Sequence, residues 1–242
     1  MELVEALEAR EGLTCVVGAG GKKSTLYALA GAIDRAVVTA TVRIPIFDER
    51  VASVTATDDP VGAVRAAAGW PVGVVAERNG DRYEGYEPAV VDRLADAGVA
   101  DAVLVKADGA RTRWLKAPGE HEPRIPAGAD VVVPIASARV VGEPLDEARV
   151  HRPERVADVA GLALGDRLRP EDVAAVLASD EGGLADVPEG ATAIPLLNMV
   201  DDAALEATAR EIADELLARA DVPRVVLTRL LDEEPVVGVV ER

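Results

Sequence analysis

The stretch GAGGKKST, residues 18–25, decides how this chain reads. It follows the apolar run Leu13–Val17 (LTCVV) and precedes Leu26, Leu29, Ala30 and Ile33, which recur at helical spacing. Strand, glycine loop, helix is the frame of a phosphate-binding loop. The common spelling, G-x-x-x-x-G-K-[ST], is absent. Ending on Gly21-Lys22, it needs Gly where Val16 stands and Ser or Thr where Lys23 stands. A shorter spelling, G-x-x-G-K-x-[ST], fits every position from Gly18 to Ser24.

The chemistry follows from the residue types. Gly18, Gly20 and Gly21, with the small Ala19 among them, let successive backbone N–H groups turn toward one anion. The N-terminus of the next helix adds partial positive charge. Lys22 neutralises β- and γ-phosphates and Lys23 lies beside it. Ser24 ligates Mg²⁺ in this reading, with Thr25 as the fallback one register on. The short spelling is also that of the folate polyglutamylation and cell-wall peptide ligases. A dinucleotide fingerprint, G-x-G-x-x-G, fails at its third glycine, where Lys23 stands. A purely structural glycine turn is the plain alternative.

Outward from the loop, β-branched runs alternate with helical patterns. Strands are expected at Leu13–Val17, Ala36–Val42, Val72–Ala76, Ala102–Lys106, Asp130–Ile135, Thr192–Leu197 and Arg224–Thr228, with a last one at Pro235–Val240. Their apolar runs are nearly continuous, as in a parallel sheet covered on both faces. Helices are expected over Pro88–Ala97, from Pro170, and over Ala203–Ala220. The pattern predicts an α/β, three-layer P-loop NTPase-like domain with a mostly parallel sheet, residues 1–242 forming one domain. Two stretches break the rhythm and read as long functional loops, near 109–129 and 139–169.

Phosphoryl chemistry needs a second Mg²⁺ anchor at a neighbouring strand end, and Asp108 stands there, although Asp-Gly turns are common after strands. Thr39 and Thr41 share a strand face, either near the phosphates or as ordinary strand residues. In "LLNMVDD", Asn198 and Asp201 have the spacing of the N-x-x-D that reads guanine, with Met199 where lysine is usual. A loop Asn followed by a helix-capping Asp explains the same letters. The loop after Asp108 carries Arg111, Arg113, Lys116, His121, Glu122 and Arg124. Arg111, Lys116, His121 and Glu122 are the candidates for substrate contact, and His121-Glu122 is a candidate acid–base pair. Spacing alone does not bring His151-Arg152 to this site. Cys15 reads as a buried strand residue.

Composition narrows the partners. The chain has 26 Lys and Arg against 43 Asp and Glu, a formal charge of −17. Such a surface suits a high-salt, halophilic cytoplasm and argues against nucleic acid as a partner. One cysteine excludes an internal disulfide framework and argues against a thiolate zinc site. No apolar run reaches membrane-spanning length, and the acidic start MELVEALEAREG is unlike a signal peptide, so a cytoplasmic protein without a membrane partner is expected.

Taken together, "GAGGKKST", "TATVRI", "KADGARTRWLKAPGEHEPRIP", "HRPE" and "NMVDD" resemble the selenium-dependent molybdenum hydroxylase accessory proteins, the YqeC-like family. The long middle stretch is the most specific match. The resemblance covers most of the chain. It implies a nucleotide-binding protein acting with Mg²⁺ and ATP or GTP, an NTPase or phosphotransferase that assists maturation of a molybdenum hydroxylase or its cofactor. A hydroxylase or a cofactor-maturation protein is the implied partner. Lys106 departs from the family pattern where an acidic residue is usual, as do Lys23, Ala40 and Met199. A non-hydrolysing, nucleotide-sensing carrier of the molybdenum cofactor is the alternative.

Overall fold

The computed structural model describes residues 1–242. Ten strands form its central sheet. Numbered along the chain they are β1 (Gly12–Gly18), β2 (Ala36–Ala40), β3 (Ser53–Ala56), β4 (Val72–Val75), β5 (Ala102–Lys106), β6 (Val131–Ser137), β7 (Thr192–Ala193), β8 (Leu196–Asn198), β9 (Arg224–Thr228) and β10 (Val236–Glu241). Across the sheet the order is β10-β9-β8-β6-β1-β5-β2-β4-β3, with β7 pairing onto β6. The pairings are parallel except β9 with β10.

Seven helices cover the faces: α1 (Leu3–Ala6), α2 (Lys22–Ala32), α3 (Pro60–Arg65), α4 (Pro88–Asp96), α5 (Pro153–Ala160), α6 (Pro170–Leu177) and α7 (Ala203–Arg219). The period of two along the strands assigns the faces. Leu13, Cys15 and Val17 of β1 join Val103 and Val105 of β5 in a core closed by Val91 and Leu94 of α4. Val16 points the other way and joins Leu104, Leu26 and Leu29 under α2. A third core packs α5, α6 and α7 against β6, β8 and β9. The fold is the expected three-layer, P-loop-like α/β arrangement.

The sheet order places the site. β1 lies at the centre, between β5 and β6. The chain fills one side of β1 first and then crosses to the other, so β1 is the switch point where crevices open at the carboxyl ends of parallel strands. Chain leaving those ends also builds two small sheets. Ile44–Pro45 pairs with Arg82–Glu84, which pairs with Glu77–Asn79. Leu115–Lys116 pairs with Val150–His151.

The elements differ from expectation in three ways. The strand expected over Thr192–Leu197 is two strands, broken at Ile194-Pro195, where proline has no N–H for the ladder. β3 was not expected, because it is an edge strand that is mostly exposed and carries no apolar run. The short helices α1 and α3 were not expected either, each being too short to repeat an apolar period, whereas α5 lies in the 139–169 stretch where short helices are in keeping with the sequence.

Candidate functional site

β1 ends at Gly18, and the loop turns directly into α2 at Lys22. Gly18 and Gly20 have φ of 87° and 88°, the left-handed region that glycine enters without strain. A Cβ on Gly18 would collide with the Ile135 carbonyl oxygen, and one on Gly20 would lie 2.8 Å from the Ser137 nitrogen. The loop is therefore pressed against the end of β6. Ala19 is buried and donates its N–H to Ile135 at 2.7 Å. The backbone N–H groups from Gly20 to Ser24 donate to no acceptor in the protein. Five consecutive free donors at a helix start form an anion cradle.

Asp108 lies just beyond β5, 1% exposed. Its Oδ2 accepts from the Gly18 N–H at 2.8 Å and pairs with Lys116 Nζ at 2.9 Å. Its Oδ1 pairs with Lys22 Nζ at 3.0 Å. Lys22 also donates to the Gly18 carbonyl. Burial lowers the Lys22 pKa, and the Asp108 charge opposes that shift. Lys116 donates further to the Gly109 carbonyl at 2.7 Å and to Glu122 at 3.0 Å. Glu122 in turn accepts from Arg152 at 2.8 Å and from the Gly109 N–H at 3.2 Å. Burial alone would raise the Glu122 pKa. The Lys116 charge and the hydrogen bonds from Lys116, Arg152 and Gly109 outweigh it and bring the carboxyl down to about 2.

A cleft of about 980 Å³ opens above the loop. Lys22 and Lys23 line it with Gly20, Gly21 and Ser24. Arg43, Arg82, Lys106, Arg111, Arg113, His151 and Arg152 also line it. Eight Lys and Arg therefore face the cleft against three carboxylates, Glu122, Glu147 and Glu154. The chain as a whole has the opposite balance, 26 against 43. Burial, with the charges of Arg152 and Lys116, lowers the His151 pKa to about 4, so its imidazole is neutral at pH 7. Of the six non-glycine residues with positive φ, four line this cleft: Arg111, Thr112, Arg152 and Met199. Backbone held in sparsely populated regions clusters at functional sites.

The structure brings together most of the residues singled out from the sequence. Ser24 lines the cleft, while Thr25 is buried and donates back to the Gly21 carbonyl at 3.2 Å. Asn198 lies beneath the loop, donating to the Gly20 carbonyl at 2.8 Å and accepting from Leu230 N–H at 3.3 Å and Thr228 Oγ1 at 3.2 Å. Asp201 pairs with Arg139 at 2.6 Å. Met199 lines the cleft, and its sulfur accepts from Ser137 Oγ. Thr39 and Thr41 are buried outside the cleft lining; Thr41 donates to the Arg124 carbonyl at 2.6 Å. His121 is exposed and outside the lining, and Arg124 is held at Thr41 and Glu87. Cys15 is buried, as expected.

Arg43 and Arg82 had no local signal and reach the site only because a small sheet folds over it. Lys106 did have one. The chain contains four lysines, Lys22, Lys23, Lys106 and Lys116, and all four stand at this site.

Asp108 is not free to serve as the expected second Mg²⁺ anchor. Asp108 has both oxygens in ion pairs, and Lys106 stands where a second carboxylate was expected. A divalent cation here would sit among the ammonium groups of Lys22, Lys106 and Lys116.

Comparison with known proteins bears on this geometry. The YqeC protein family model matches residues 14–154, more than half of the chain and a span running from the loop through Arg152. The chain belongs to the YqeC family. It is also similar to "Uncharacterized protein YqeC" of Escherichia coli (strain K12), 29% identical over 198 residues, covering 79% of this chain and 77% of that protein. No solved structure matches it. The matched family span contains Lys22, Lys106, Asp108, Lys116, Glu122 and Arg152 in one block. No helix is long and apolar enough to cross a membrane.

Proposed function

We propose that this YqeC-family chain binds the triphosphate of ATP or GTP at the residue 18–25 loop. In this reading it acts as an NTPase or phosphotransferase in maturation of a molybdenum hydroxylase or its cofactor, with selenium involved where the family resemblance implies it. One observation carries the binding step: five free N–H donors open into a cationic cleft of an otherwise acidic protein. The cradle holds phosphate oxygens, Lys22 offsets their charge, and Ser24 donates its hydroxyl. The wider cleft, lined by Arg111, Arg113 and Arg152, takes the second substrate.

The non-hydrolysing carrier has a specific observation in its favour. The carboxylates nearest the loop, Asp108 and Glu122, are both held in ion pairs. Neither is poised to take a proton from water, and His121 lies outside the cleft.

Calorimetric titration of the full chain with ATP, GTP and NAD, in high-salt buffer, tests the binding step. The expected result is triphosphate binding, weakened about 10- to 100-fold by Lys22→Ala with the fold intact by circular dichroism. Binding of NAD alone, or of none of the three, refutes it. Phosphate release by the bound protein then separates enzyme from carrier.

A further inference from the structure

Lys106 is the last residue of β5 and shares the α2-facing side with Ala102 and Leu104. It is 7% exposed and lines the cleft. Its Nζ donates to one group, the Arg43 carbonyl, at 2.9 Å. The carboxylates nearest the loop are engaged elsewhere: buried Asp108 by Lys22 and Lys116, half-buried Glu122 by Lys116 and Arg152. Lys106 is thus a nearly buried amine with no ion-pair partner in the protein, and burial lowers its pKa to about 7. Such a group is strongly unfavourable by itself. Two residues earlier on the same face, Leu104 fills the equivalent position with an apolar side chain at no such cost.

We infer that Lys106 is a phosphate-binding residue whose counter-ion is a phosphate oxygen of the ligand, and that Lys22 and Lys106 together replace a divalent cation, so that the site takes polyphosphate metal-free. This rests on the phosphate reading of the loop proposed above. The two lysines reach the cleft from adjoining strands. β1 leads into the turn that carries Lys22, and β5 ends on Lys106, paired in register with Val16. Asp108, held between Lys22 and Lys116, sets the position of the first ammonium and takes no metal. A polyphosphate laid on the N–H cradle meets Lys22 and Lys106 in the positions where charge neutralisation is needed.

The test is calorimetric titration of the full chain with inorganic tripolyphosphate, once in excess EDTA and once in excess MgCl₂, on wild type and Lys106→Met. Wild type is expected to bind in EDTA at least as tightly as in Mg²⁺. The variant is expected to lose about 10- to 100-fold in EDTA. Free of ligand, it is expected to melt several degrees above wild type, because the cost of burying an amine that is protonated in the unfolded chain is gone. A structural lysine gives the reverse, lower stability with unchanged binding, and overturns the inference. Binding by wild type only in Mg²⁺ overturns it while leaving the phosphate loop standing. No binding in either condition overturns both. Lys106→Gln serves the same comparison if the Met variant fails to fold.

Discussion

Gly20 joins backbone geometry to function in one residue. Its φ of 88° and the 2.8 Å approach to Ser137 make any side chain costly there. Gly20→Ala is expected to destabilise the fold by about 2–4 kcal/mol, from left-handed strain plus the clash. A denaturant midpoint unchanged from wild type would contradict the packing of the loop on β6. Glu122 gives a pH-dependent counterpart. Its folded pKa is about 2, below the ordinary 4.5, so it contributes stability above about pH 4.5 that is lost as pH falls through 2. The contribution is on the order of 3 kcal/mol. Glu122→Gln is therefore expected to melt below wild type at pH 7, with the gap closing toward pH 2. A gap independent of pH would mean that its ion pairs with Lys116 and Arg152 add nothing. Lys22, Ser24 and Asp108 were legible singly, because a loop motif and a strand end fix their places. Lys106 was legible only as a departure, since its unpaired state depends on which carboxylates its neighbours occupy.

At the scale of elements, the loop is held from both sides. β6 supports Gly18 and Gly20, and β8 supplies Asn198 beneath Gly20. Asn198 has three partners on two segments, so Asn198→Ala leaves the Gly20 carbonyl and the Leu230 N–H without it. We expect a loss of about 2–3 kcal/mol by denaturant unfolding. We also expect weaker tripolyphosphate binding, because the cradle is no longer pinned. Unchanged stability would remove Asn198 as the strut. The central strands were legible because they are β-branched runs buried on both faces. The edge strand β3 was not, because exposure on an edge removes the apolar signal. The break between β7 and β8 falls at Pro195, whose missing N–H interrupts what reads as a single apolar run.

Over the whole molecule, charge is divided unevenly. The net −17 is spread over the chain, while the cleft collects eight Lys and Arg. Salt acts on the two in opposite directions. Raising KCl from about 0.1 M to about 2 M screens the self-repulsion of the acidic surface and is expected to raise Tm by roughly 5 °C or more. The same change is expected to weaken tripolyphosphate binding, because cleft and ligand attract. Thermal melts and titrations across that series check both signs. A Tm that falls with salt would show that the surface charges are paired rather than repelling.

The sequence by itself determined the strand–loop–helix unit, the parallel α/β architecture and the place of Asp108 at a strand end. Each is local: a glycine turn, a run of β-branched residues, a residue just past that run. Only the tertiary structure decided that β5 lies beside β1, that a small sheet carries Arg43 and Arg82 over the cleft, and that Lys22 and Lys116 occupy both oxygens of Asp108. The physical reason is that ion pairing and desolvation depend on distances between segments far apart in the chain. Spacing along the chain does not encode those distances. Lys106 is a cation by its letter, and it becomes a buried amine without an ion-pair partner only through the packing around it.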